Sequence, residues 1–297
     1  MIDRPVKLNA ADGYWVGSFE AMASPCELFM EVDDETLANR LLNIAAREAW
    51  RIESKFSRYV SDNPVDRINN SGGQAVEVDE EVGQLLDFAQ ACWQLSEGMF
   101  DITSGVLRRI WHFDGGHRLP SQQQVDQILP LVGWHKLTWE RPYLTLPPGM
   151  QVDFGGIGKE YAVDRTLQLL QQQTDQALLI NYGGDICAGG ARQSNLPWSV
   201  GLEHPSHPDS PKGVLRIRRG GLATSGDTRR YLLHQGKRYG HVLNPKNGWP
   251  VEGGLRSVTV AAASCTEAGL LATMALLQGP DAEEFLQNQD VQYWVIP

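Results

Sequence analysis

The texture of the sequence changes at Asp153. Before it, apolar residues recur mostly at helical spacing; after it, short apolar runs alternate with glycine-rich turns. Leu37, Leu41, Ile44, Ala45, Ala49, Ile52 and Phe56 predict a helix over about 35–56. Val82, Leu85, Leu86, Ala89 and Trp93 predict a second over about 79–96, with Gly98 as its stop. A short helix is expected over 120–128. Residues 13–32 and 137–153 read as hairpins, the latter turning at Pro147-Pro148-Gly149. Past Asp153, strands are expected at 177–182, 198–203, 213–218 and 256–263. Helices are expected at 157–173 and 266–278, and the closing VQYWVIP reads as a strand. A helix-rich half followed by a strand-rich half argues against a regular βαβ repeat and predicts an α+β fold. A subdivision near 115–150 is only weakly signalled.

The 297 residues suit one large domain or two small ones. With 42 % hydrophobic and 21 % charged residues, whole-chain disorder is excluded. Asp and Glu number 36 against 26 Lys and Arg, a net charge of -10, and no basic run interrupts them. That argues against nucleic acid as a partner, because a phosphate backbone needs a basic face. No stretch reaches the roughly 18 consecutive apolar residues of a membrane span. The N-terminal residues are acidic and polar where a signal peptide needs an apolar region, and no lipobox is visible, so a cytoplasmic location is expected, with an exported mature form as the alternative. Cys26, Cys92, Cys187 and Cys265 are far apart with no CxxC pair, and buried, reduced thiols are expected.

Five segments carry candidate chemistry, each with a structural alternative. Asp153-Phe154-Gly155-Gly156-Ile157-Gly158-Lys159 places glycines before a helix, where backbone N–H groups and the helix dipole suit a phosphate. Its spacing is neither Walker A nor GxGxxG, and a tight turn explains the glycines equally. Asn181-Tyr182-Gly183-Gly184-Asp185 is either a close-approach site or a turn. In 222–231, Thr224, Ser225, Asp227, Thr228, Arg229 and Arg230 form an anion site or a solvated hairpin loop. In 240–250, His241 is a candidate general base, or an ordinary packed histidine beside tight turns. In 264–273, Thr266 is a candidate helix cap, and Thr273 shares a helix face with Gly269.

Taken in order, these segments resemble the family of FAD:protein FMN transferases, the ApbE-like flavin transferases that include the thiamine-biosynthesis-type lipoproteins. The resemblance begins at Phe19-Glu20-Ala21-Met22-Ala23-Ser24, like the family's F-x-A-M-G-T. It continues through Phe56-Ser57-Arg58-Tyr59, Ile68-Asn69 and Phe100-Asp101-Ile102-Thr103-Ser104-Gly105 to the first four segments above, nearly the whole chain. It implies mixed or antiparallel sheets flanked by helices, with an FAD site in the cleft between N-terminal and C-terminal parts of a single transferase domain. It implies a divalent metal, usually magnesium, and transfer of FMN from FAD to a threonine hydroxyl of an acceptor protein with release of AMP. Hydrolysis of FAD to FMN and AMP is an implied side activity. Met22, Tyr59, Met99, Phe100 and Asp101 match positions lining the flavin nucleotide, and Asp153 and Lys159 match FAD contacts. The Gly156 carbonyl and Thr273 match metal ligands, and Ala272 lies beside them. His241 matches the histidine near the reacting phosphate, with Leu243 next to the nucleotide.

One departure matters. The family's last motif reads roughly A-D-A-L-A-T, its Asp being the charged metal ligand, whereas this chain has Ala268-Gly269-Leu270-Leu271-Ala272-Thr273. Glu267 lies about 200° round the helix from Gly269 and is a poor substitute. Asn244 stands where the family usually has Asp, keeping the turn and losing a charge, and Gly158 replaces a common Ala. The alternative to a transferase is therefore a catalytically impaired FAD-binding relative with an incomplete metal site.

Overall fold

The computed structural model describes residues 4–114, 116–190, 192–193, 195–202, 213–226 and 231–297. The segment Asp227–Arg230, part of the third candidate motif, lies outside them. The chain forms two compact units, each assembled from three stretches. One is Met1–Glu53, Ile157–Thr224 and Thr259–Gly269; the other is Ser54–Gly156, Ser225–Val258 and Leu270–Pro297.

The first unit is built on an antiparallel sheet. Its strands run in the order Lys7–Ala11, Tyr14–Ala21, Ser24–Met30, Leu178–Tyr182, Asp185–Gly189, Gly220–Gly226 and Ser257–Ala262. Cys26, Leu28, Met30, Leu178, Ile180 and Tyr182 are fully buried along the central strands. The helix beginning at Glu35 buries Leu41, Leu42, Ala45, Ala46, Ala49 and Ile52, a 3.6-residue stripe. The Tyr182 hydroxyl ties the sheet to two helices, lying 3.4 Å from the Ala45 carbonyl and 3.0 Å from Thr166 Oγ1 in helix Gly158–Gln171.

The hairpin expected within 13–32 is present. Ala21 pairs with Ser24, which leaves Met22 and Ala23 as a two-residue loop. Their φ values are 52° and 54°, the left-handed region that primed hairpin turns demand and that side chains disfavour. Ala23→Gly is therefore expected to stabilise the protein by about 1 kcal/mol. The check is a higher urea midpoint at unchanged slope.

The second unit is mostly helical. Side-chain caps start its helices: Asn63 before Pro64–Asn69, Asp79 before Glu80–Leu95, and Ser121 with Gln124 as a capping box before Gln122–Ile128. Val106, Leu107, Trp111, Val132 and Leu232 form a buried cluster. A small sheet places Tyr143–Thr145 between Ala75–Glu77 and Thr138–Glu140. Its hairpin turns at Arg141-Pro142, not at Pro147–Gly149 as expected. Pro147 and Pro148 lack the N–H a ladder needs, so the strand ends before them. The closing strand Gln292–Ile296 accepts the Arg256 N–H at the Ile296 carbonyl, 2.8 Å away.

The α+β class expected from the sequence is present. Several strands go beyond the sequence expectation, among them Lys7–Ala11, Ala75–Glu77, Tyr231–His234 and Lys237–Gly240, while Asp185–Gly189 and Gly220–Gly226 fall in segments expected as turn and loop. All four cysteines are free and buried, as expected. Burial pushes the thiols of Cys26, Cys92 and Cys187 up to about 12. Among the described residues no helix is long and apolar enough to cross a membrane.

Candidate functional site

In the second unit, the Asp153 turn is held from several directions. The Asp153 N–H donates to the Ile102 carbonyl at 2.9 Å, and Oδ1 accepts the Gly155 N–H at 2.9 Å. Arg58 Nη1 lies 3.2 Å and Arg108 Nε 3.7 Å from Oδ2. Arg58 also donates to the Gly105 carbonyl at 2.8 Å. Gly105 permits this: a Cβ there would lie 2.5 Å from Asp153 Cβ. Two guanidinium groups thus fix one carboxylate, and the exposed Gly155 and Gly156 follow it. Arg58 enters the sequence reading only inside the Phe56–Tyr59 motif, with no role assigned, and Arg108 does not enter it, since their link to Asp153 spans up to 95 residues.

Phe100 is buried, and its ring edge lies 3.5 Å from where a Gly156 Cβ would stand. Its neighbour Met99 is half-buried. Asp101 is buried with both oxygens engaged. Oδ1 accepts the Thr103 N–H and hydroxyl at 2.8 and 2.6 Å, and Oδ2 accepts the Trp134 N–H at 2.8 Å. Its carboxylate caps the 3-10 helix Ile102–Arg109 and ties it to Trp134. Tyr59 is 81 % exposed, with the Arg58 guanidinium 5.6 Å from its ring centre.

His241 is half-buried after the strand Lys237–Gly240, edge-on to Phe113 with ring centres 6.3 Å apart. Leu243 pairs with Pro250 and packs against the Trp111 cluster. Asn244 Oδ1 accepts the Lys246 N–H at 2.8 Å and its carbonyl accepts the Gly248 N–H, so the amide keeps the turn. Ala272 is fully buried, and the Thr273 hydroxyl lies 2.7 Å from that of Ser225.

In the first unit, Met22 donates its N–H to Glu53 Oε1 at 2.8 Å. Gly183 and Gly184 make a two-residue hairpin turn, with φ of 63° and 100°. Asp185, the next residue, is buried and pairs with Lys159 Nζ at 2.6 Å. Burial pushes the Asp185 carboxyl up against the pull of Lys159. Burial also pulls the Lys159 ammonium down, and the Asp185 charge more than reverses this.

The residue after Lys159 escaped sequence reasoning. Glu160 is buried, and its Oε2 finds no hydrogen-bond partner among the described residues. It faces Gly269 on helix Cys265–Leu277: a Cβ on Gly269 would lie 2.6 Å from Glu160 Cγ and 2.8 Å from Oε1. One turn along, Asp164 receives the start of that helix, accepting the N–H groups of Cys265 and Thr266 at 2.8 Å and the Thr266 hydroxyl at 2.6 Å. Ser264 Oγ accepts the Glu267 N–H at 3.1 Å. Ser264 and Asp164 therefore cap the helix; Thr266, the expected cap, donates instead.

Burial, and then the Asp185 charge, push the Glu160 carboxyl up to about 8. The native state then holds a proton that the unfolded chain releases near pH 4.5. Stability is expected to fall as pH rises between about 4.5 and 8. Glu160→Gln is expected to flatten that slope in urea melts taken across the range.

A magnesium-like cation takes oxygen donors, carboxylates first. Among the described residues no three His, Cys, Asp or Glu side chains assemble as a metal cluster. The Gly156 carbonyl and Thr273 hydroxyl are neutral oxygens in the second unit, and Glu160 offers an orphaned buried carboxylate oxygen in the first. Each is by itself a hard oxygen of the kind such a cation takes.

Comparison with known proteins is consistent with this chemistry. The sequence is 30 % identical over 252 residues to the FAD:protein FMN transferase of Escherichia coli (strain K12), covering 81 % of this chain and 72 % of that one. It is 28 % identical over 258 residues to a Haemophilus influenzae protein of the same description, covering 82 % and 75 %. The Thermotoga maritima ApbE protein shares the fold with a TM-score of 0.84 at 29 % identity, over 95 % of this chain and 94 % of that one. The Pseudomonas stutzeri flavinyl transferase ApbE, in its apo form, gives 0.84 at 25 %, over 99 % and 92 %. The model of the ApbE family matches residues 22–295, and the chain belongs to that family.

Proposed function

We propose that this protein is an FAD:protein FMN transferase, moving FMN from FAD to a threonine hydroxyl of an acceptor protein and releasing AMP. The observation that carries the reading is the Asp153 turn. A carboxylate pinned by Arg58 and Arg108 is followed by exposed Gly155-Gly156. The chain then enters helix Gly158–Gln171, whose N-terminus has no side-chain cap among the described residues. Free backbone N–H groups at a helix start suit a pyrophosphate.

In this reading Met22, Met99 and Phe100 line the flavin nucleotide, the backbone at Asp101 and Leu243 borders it, and the exposed Tyr59 ring stacks on it. Asp153 and Lys159 orient the FAD, and Ala272 closes the floor beside Thr273. His241 accepts the proton of the acceptor threonine as its oxygen bonds to the FMN phosphorus. The P–O bond to AMP breaks and AMP carries away the electron pair. Water in place of threonine gives FMN and AMP. A divalent cation held by the Gly156 carbonyl and Thr273 would neutralise pyrophosphate charge when bound.

The test is in-gel flavin fluorescence after denaturation, using the protein with FAD, magnesium and a flavoprotein acceptor bearing a target threonine. A fluorescent acceptor band is expected. Its absence in the presence of bound FAD would favour the second reading, an FAD-holding relative without turnover, which rests on Gly269.

A further inference from the structure

We propose that Glu160 supplies, from the facing helix, the cation-binding carboxylate that Gly269 lacks, and that residue 269 is glycine because the Glu160 side chain fills its space. The inference rests on the transferase reading. Helices Gly158–Gln171 and Cys265–Leu277 face each other in register, Asp164 against Cys265 and Thr266, and Glu160 one turn away against Gly269. The Glu160 Cγ, Cδ and Oε1 lie 2.6, 3.0 and 2.8 Å from where a Cβ of residue 269 would stand. Any side chain at 269 would meet that carboxylate, so a carboxylate from either helix fills one volume. Glu160 is 8 % exposed and its Oε2 has no hydrogen-bond partner among the described residues. The nearby Lys159 ammonium lies 2.6 Å from Asp185. A buried carboxyl oxygen left without a partner is costly unless a ligand satisfies it, and a divalent cation, displacing the carboxyl proton as it binds, is the ligand that prefers such oxygen.

The test measures cation binding directly. Mn2+ is titrated into the FAD-loaded protein and free Mn2+ is read by electron paramagnetic resonance, with FAD retention followed in the same samples by flavin fluorescence. Wild type is expected to bind Mn2+, and Glu160→Gln to bind it at least tenfold more weakly at full FAD occupancy. Gly269→Asp alone is expected to lose stability without tightening Mn2+. Glu160→Gly with Gly269→Asp, which moves the carboxylate across without a clash, is expected to regain binding. Unchanged Mn2+ affinity in FAD-loaded Glu160→Gln overturns the assignment, as does tighter binding in Gly269→Asp alone. If Glu160→Gln fails to fold, a folded, FAD-loaded double variant that binds no Mn2+ overturns it. Wild type that retains no FAD overturns the transferase reading, and this assignment with it. Wild type that retains FAD and binds no Mn2+ overturns this assignment alone.

Discussion

His241→Ala is expected to slow FMN transfer by about 10²–10⁴-fold, the range for loss of a positioned proton acceptor. FAD affinity is expected to stay close to that of the parent, because in the proposed mechanism the substituted group serves the reacting hydroxyl and not the nucleotide. The ring is set by its surroundings: the strand Lys237–Gly240 delivers it, Phe113 flanks it, and the Asn244 turn returns the chain to pair Leu243 with Pro250. Imidazole added to the medium is expected to restore part of the rate. A fall in FAD affinity equal to the fall in rate would instead make His241 a binding residue.

Gly221→Ala is expected to destabilise the fold by more than about 4 kcal/mol, in the range of severe overpacking. Gly221 pairs with Cys187 in the sheet and lies under the start of helix Cys265–Leu277. A Cβ there would stand 2.2 Å from the Cys265 nitrogen and 2.2 Å from the Ser264 carbonyl carbon. Both are backbone atoms, so no side-chain rotation relieves the clash. The helix would have to lift, breaking the bonds from Asp164 that seat it. Gly236→Ala is the control: its φ of +79° is unfavourable, yet nothing lies within 4 Å. It is expected to cost about 1–2 kcal/mol. Thermal melts of the two variants separate a steric penalty from a conformational one.

Much of this architecture was legible in the sequence where a local rule governs it. The helices beginning at Glu35 and Glu80 follow from 3.6-residue apolar spacing, and the hairpin at Met22-Ala23 from alternation. The strands Asp185–Gly189 and Gly220–Gly226 were hidden because glycine and aspartate oppose strand propensity. Burial in the sheet decides them instead. The Asp153–Gly156 segment was visible as a glycine-rich turn, whereas the arginines that pin it come from distant sequence. The same distance hid the pairing of Asp164 with Thr266 and of Glu160 with Gly269, separated by about a hundred residues. Read alone, Gly269 signifies a lost carboxylate; beside Glu160 it signifies a filled volume.

The most direct test of the transferase reading is the stoichiometry of AMP release. Protein, FAD and a threonine-bearing acceptor are incubated with and without magnesium, and AMP, free FMN and acceptor-bound FMN are separated by chromatography. Magnesium-dependent AMP matched by acceptor-bound FMN is the expected result. Bound FAD with no AMP in either condition would contradict it and leave the protein a flavin nucleotide binder.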